Sequence, residues 1–278
     1  MALKPKSLDM GMHTEQLAGR TQQRFFRPEE GENYLYPGAF DVDYNKRTEF
    51  DADKLSAQEI NLKLRDLMRQ GYGTIVMKNP GAKHGVAVGI LNRLHLIIDG
   101  SLGYFGCGLI DGPNIEIKGR VGWSCAENML AGTVVIEKNA GSTFGAAIRG
   151  GDLVCKGDVG ARVGIDQKGG TIIIGGRAGA FCGFMMQRGR MVILGDAGKN
   201  LGDSMYDGTI YVGGKIDGLG VDAVEGEMTD LDCQWLERKL KLYGLAAPKG
   251  VKNMTKIVAG KQLWNYDNLE PTEKKLVL

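Results

Sequence analysis

The chain has no apolar run long enough for a membrane span, no apolar stretch near Met1 of the kind a secretory leader needs, and no C-x-x-C pair. It is accordingly expected to be cytoplasmic. Charge of one sign is lacking too: 35 Lys and Arg stand against 33 Asp and Glu. A net +2 excludes the polyelectrolyte signature of a nucleic-acid or anionic-membrane binder. Histidine is scarce, at His13, His84 and His95, and none has metal-ligand spacing or a neighbouring nucleophile set. No catalytic, cofactor-binding or metal-binding residue is therefore assigned. The five cysteines, an odd number, define neither a disulfide framework nor a zinc site, which fits a reducing compartment.

Glycine is abundant: 43 of 278 residues, about twice the usual share, concentrated between Gly71 and Gly226. Aligned at Gly103, Gly122, Gly141, Gly160, Gly179 and Gly198, the segments repeat every 19 residues without a slip. Four residues further on stand Gly145, Gly164, Gly183 and Gly202, with Cys107 and Ala126 in the earlier units. These glycines are expected to turn the chain at positive φ, where other residues are strained.

Seven and five residues before the alignment glycine come Leu96/Ile98, Ile115/Ile117, Val134/Ile136, Leu153/Cys155, Ile172/Ile174, Met191/Ile193 and Ile210/Val212. A spacing of two puts each pair on one face of a strand, and the repeat stacks like upon like. A further inward column reads Gly106, Cys125, Phe144, Val163, Cys182 and Leu201. The pattern predicts a mainly β protein, a single-stranded right-handed parallel β-helix of about 7–8 coils, roughly 30 Å long at the usual strand spacing. The expected organisation is an N-terminal arm over 1–50, a capping helix and lead-in strand over 51–78, the β-helix over 79–223, and a C-terminal helix with an extended tail over 224–278.

Two helices are legible at the flanks. Ser56 and Glu59 form a capping box before Ile60, Leu64, Leu67 and Met68, a helix suited to cover the first coil. Thr229 starts a second, with Leu231, Trp235, Leu236, Leu240 and Tyr243 expected on its buried side, suited to cap the opposite end. The arms carry isolated aromatics, Phe25, Phe26, Tyr34, Tyr36, Trp264 and Tyr266, of the kind that anchor partner contacts.

Candidate ligand residues are few. His84, in the first glycine corner, is the best placed to meet a ligand, against the plainer reading of a solvated turn residue. His95 lies within a strand and reads as structural. Glu127-Asn128 interrupts a column of small or apolar residues and faces either solvent or a partner. Ile110, Met129, Ile148, Met186 and Met205 read as core and not as a soft-metal site. Gly100-Ser-Leu-Gly103-Tyr-Phe-Gly106 has the look of a dinucleotide loop, but no helix pattern follows it.

The glycine array over about 72–223 resembles the domain at the carboxyl end of glutamate synthase large subunits, also found in the third subunit of formylmethanofuran dehydrogenase. The strings NPGAKHGVAVG (79–89), GYFGCGL (103–109), AENMLAGTVVIE (126–137), GDSMYDGTIYVGG (202–214), LGVDAVEGEM (219–228) and LWNYDN (263–268) are similar to stand-alone domain-3 subunits of the N-methylglutamate synthase type. The resemblance implies a non-catalytic β-helix subunit of a multi-subunit enzyme of methylamine metabolism. Its implied partners are a class II glutamine-amidotransferase-like subunit and an FMN-binding (α/β)8 subunit. FMN, and the iron–sulfur cluster of glutamate synthase, would belong to the latter. Two other readings are a formylmethanofuran dehydrogenase subunit and an autonomous β-helix enzyme acting on polysaccharide. The late NYDN string disfavours the first, and the want of a recurring carboxylate cluster disfavours the second.

Overall fold

A computed structural model describes residues 40–261. Strand β1 (Asp43–Asp51) and helix α1 (Ala57–Arg69) precede the strand ladder β2 (Tyr72–Lys78), β3 (His95–Asp99), β4 (Asp111–Ile117), β5 (Ala131–Ile136), β6 (Asp152–Cys155), β7 (Lys168–Ile174), β8 (Arg188–Ile193) and β9 (Thr209–Val212). After it come β10 (Ala223–Gly226), helix α2 (Asp230–Leu242) and β11 (Thr255–Ala259). All eleven strands join one sheet, parallel from β1 to β9. The molecule is a parallel β-solenoid, as the repeat requires.

The aliphatic columns are in register. Leu96 pairs with Ile115, then Val134, Leu153, Ile172, Met191 and Ile210, one per coil. Every one of these side chains is buried, as are Cys125, Phe144, Val163, Cys182 and Leu201. Burying each large aliphatic contributes roughly 1.5–3 kcal/mol, so the ladder is the main source of stability. A further stack reinforces it: Leu102, Val121, Ala140, Val159, Ala178, Ala197 and Ile216 form single bridges immediately before the alignment glycines.

The glycines turn out to do two different jobs. Positive φ is confined to the second column, for instance Gly145 at 67°. The alignment glycines lack positive φ and are instead needed for space. A Cβ at Gly141 would lie 2.5 Å from Trp123 Cδ1 and 2.7 Å from the Gly122 carbonyl carbon. Much of the left-handed backbone is carried by other residues: Phe105, Cys107 and Leu109 have φ of 59°, 57° and 56°. Hydrogen bonds to adjacent coils hold them there, from Phe105 N–H to Trp123 O (2.8 Å), Cys107 N–H to Val86 O (3.0 Å) and Leu109 N–H to Glu127 O (2.9 Å). Surrounding structure that over-determines the backbone is what sustains such strain.

The ends are closed by different elements. Ser56 and Glu59 form the expected capping box, and Ile60, Leu64 and Met68 are buried over the first coil. Asn61 fastens the helix by donating to Gly85 O (2.7 Å) and accepting from Ala87 N–H (2.8 Å). The sheet begins earlier than the glycine pattern, because β1, inside the stretch read as an arm, pairs with β2 through Thr48–Ile75 and Phe50–Met77. At the other end β11 pairs antiparallel with β9 and buries Ile257. The aromatics Phe25, Phe26, Tyr34, Tyr36, Trp264 and Tyr266, with His13 and the LWNYDN string, lie outside the described residues.

Helix α2 corrects two expectations. It does not cap the end of the solenoid. It lies along the outer face of the sheet, where Cys233, Leu236 and Leu240 pack on Val154, Ile173, Val192 and Tyr211. Leu231, expected on the buried side, is 76% exposed. Residues two apart on a helix point in nearly opposite directions, so Cys233 inward puts Leu231 outward. Lys239 pairs with Asp152 at 2.7 Å, and the Arg190 guanidinium lies 4.5 Å over the Trp235 ring.

Asp232 ties α2 to the sheet. It accepts from Tyr211 OH (2.6 Å) and pairs with Lys256 (2.8 Å), while also completing the Thr229 cap. Burial raises its pKa, but the hydrogen bonds from Lys256, Tyr211 and Thr229 outweigh it and hold the carboxyl well below the usual range. A depressed folded-state pKa stabilises above the unfolded value and is lost as pH falls. Asp232→Asn is therefore expected to weaken the fold at neutral pH and to flatten its stability profile below about pH 4. Urea denaturation of both proteins from pH 7 to 3 measures this, and parallel profiles would contradict it.

Candidate functional site

The three features singled out from sequence lie at separate places. His84 sits in the first coil, where its Nδ1 accepts the Tyr104 N–H at 2.9 Å. Its ring stacks on Tyr104 at 4.6 Å, and Tyr104 stacks on Trp123 at 5.3 Å. The histidine is thus a bound turn residue at the head of an aromatic ladder. Each ring leans over the alignment glycine of the next coil, which has no Cβ to stop it: His84 over Gly103, Tyr104 over Gly122, Trp123 over Gly141. Sequence reasoning passed over this ladder, whose signal was an aromatic directly after two successive alignment glycines.

His95 lies on the outer sheet face, its Nε2 3.2 Å from Glu116. The same carboxylate takes Lys118 at 2.7 Å, and this hydrogen bond lowers the Glu116 pKa despite partial burial. That is a surface ion pair between neighbouring strands, worth at most about 1 kcal/mol. Glu127 and Asn128 lie on the turn face, partly exposed.

The methionine column is core, as expected: Ile110, Met129, Ile148, Met186 and Met205 are buried. Its remaining member is Gln167, also fully buried. Its Nε2 donates to Gly169 O (2.9 Å), Gly170 O (3.2 Å) and Arg190 O (3.3 Å), while Oε1 has no partner. An amide here closes the doubled-glycine turn, whose carbonyls would otherwise face an apolar interior.

The five cysteines are all free and buried. Burial pushes the Cys155 and Cys182 thiols up to about 12. A hydrogen bond with Cys107, together with burial, raises Cys125 as well. Thiolate is the reactive form, so none of the five is expected to react with Ellman's reagent at pH 8 in the native state, and all five should react after unfolding. A native-state titre of one or more would show an opening the packing does not provide.

Helix α1 and the loop 85–92 border a groove of about 610 Å³, lined by Asn61, Leu62, Arg65, Val88, Leu91 and Asn92 among others. Among the described residues no three His, Cys, Asp or Glu side chains converge to hold a metal ion. Among them, too, no helix is long and apolar enough to cross a membrane.

A glycine-punctuated parallel β-solenoid with a side-docked helix is the class of protein that fold and surface define. Residues 45–241 match the GXGXG motif family, and the chain belongs to it. This is the glutamate synthase domain-3 family that the glycine columns resemble. Protein GlxC of Rhizobium meliloti (strain 1021) is 37% identical over 81 residues, which cover 28% of this chain and 35% of that protein. The chain thus matches about a third of the length of that relative.

Proposed function

We propose that this chain is a non-catalytic structural subunit of a glutamate-synthase-like complex of the N-methylglutamate synthase type. It bridges a class II amidotransferase-like subunit and an FMN-binding (α/β)8 subunit, which holds the FMN and any iron–sulfur cluster. The family match across the whole strand ladder carries this reading. A solenoid whose interior is filled by stacked aliphatic columns suits the role: it is a stiff spacer whose surface alone is available to partners.

Affinity purification of the tagged chain, co-expressed with the products of neighbouring genes, tests the reading. The expected result is a larger assembly in which flavin absorbance enters with the barrel subunit and glutaminase activity with the amidotransferase. Stoichiometric FMN retained by the chain alone, or glutaminase activity of the chain alone, would overturn it.

A further inference from the structure

Between each alignment glycine and the next strand runs a turn whose third and fourth residues are buried, while the first, second, fifth and sixth reach the surface, Gly108 excepted. In the fifth turn the second and fifth residues, Phe181 and Phe184, meet edge to face with ring centroids 6.0 Å apart, so the two rows share one face. Over five coils this face is mostly aromatic, aliphatic or small. Tyr104, Phe105, Leu109 and Trp123 are among its exposed members.

Two charged side chains on it have no ion-pair partner among the described residues. Glu127 lies in the second turn, and Arg162, in the fourth, has only the Phe181 ring beneath it at 5.7 Å. Asp166 on the same face is already held, by Lys168 at 2.7 Å and Gln187 at 2.6 Å.

The arrangement is self-complementary. A twofold axis normal to the face, passing between Phe144 and Gly145 of the third turn, exchanges the second turn with the fourth and the first with the fifth. That operation carries Glu127 onto the position of Arg162 and Phe105 onto that of Phe184. Only small residues, such as Thr143 and Ala146, exchange beside the axis, so two such faces can approach closely. We propose that the occupant of this face is a second copy of the chain, in an isologous dimer whose two Glu127–Arg162 contacts flank the axis. The inference is independent of which complex the chain serves.

Sedimentation velocity of the full chain tests it. A dimer is expected. Glu127→Arg and Arg162→Glu each place like charges opposite one another twice, and each should weaken the dimer on the order of a hundredfold. The double variant E127R/R162E should bring affinity back to within about tenfold of the original, a rescue that a merely damaged fold would not give. Circular dichroism and thermal melts of all three confirm folding, since both side chains stand at the surface. A monomeric wild-type chain at high micromolar concentration would overturn the proposal. So would a dimer indifferent to both reversals, failure of the double variant to recover, or a foreign subunit whose binding alone is lost in Glu127→Arg. Loss of the bridging role leaves these outcomes unchanged, so the two ideas fail separately.

Discussion

Phe144→Ala is expected to cost about 3–5 kcal/mol of stability, the largest effect of any single truncation in the core. Phe144 is fully buried and is the bulkiest side chain in its column, between Cys125 in one neighbouring coil and Val163 in the other. The next residue is Gly145, whose missing side chain leaves nothing to swing into the space. Parallel strands on either side are pinned by hydrogen bonds from coil to coil, so collapse around the void is limited. In a stacked array each coil stabilises its neighbours, and weakening the middle exposes two shorter solenoids with new ends. Chemical denaturation followed by circular dichroism measures the loss. At roughly 2–4 °C per kcal/mol for a chain of this size, the melting temperature should drop clearly. A loss below about 1 kcal/mol would mean that the coils are not packed against one another at this level.

The second large effect concerns backbone. Gly132→Ala is expected to destabilise by about 2–5 kcal/mol, combining left-handed strain with overpacking. Gly132 has φ of 102°, and a Cβ there would stand 2.3 Å from Pro113 O and 3.0 Å from the Gly112 carbonyl carbon. Those obstacles are backbone atoms of the preceding coil and cannot rotate aside. Gly85 serves as the control: its φ is 62°, yet nothing lies within 4 Å of the added atom. Gly85→Ala should therefore cost only about 1 kcal/mol, the ordinary charge for a left-handed residue other than glycine. Parallel melts of the two variants separate conformational strain from steric collision. Equal losses would show that contact between coils is not what keeps position 132 glycine.

The contrast between these glycines marks where reading by pattern stopped. Periodicity says that something at each alignment position must be small. Whether the reason is dihedral angle or crowding depends on how near the next coil lies, which no spacing in the chain encodes. The same holds for helix α2. Its caps, Thr229 and Asp232, were legible locally, and its docking site was half legible, since Val154, Ile173 and Val192 make strands β6 to β8 buried on both faces. Which of the leucines faces inward was decided by contact with those strands, and Leu231 lost to Cys233. Strand β1 escaped notice because DYNKRTEFD has little alternation, and only Phe50 is buried among its nine residues. An edge strand paired on one side needs few apolar residues, so its pattern is faint.

The surface followed the same division. Glu127 stood out in sequence as a polar break, and Arg162 did not, because arginine on a turn is unremarkable until its neighbours are known. What the amino-acid sequence determined by itself was the repeat, the inward columns and the two capped helices. All of these are set by local spacing and by the free energy of taking aliphatic side chains out of water. What only the tertiary structure decided was which glycines are conformational and which are steric, where the second helix lies, and how the turns align into one face. Those depend on distances of a few ångströms between coils 19 residues apart, and such distances exist only once the coils are stacked.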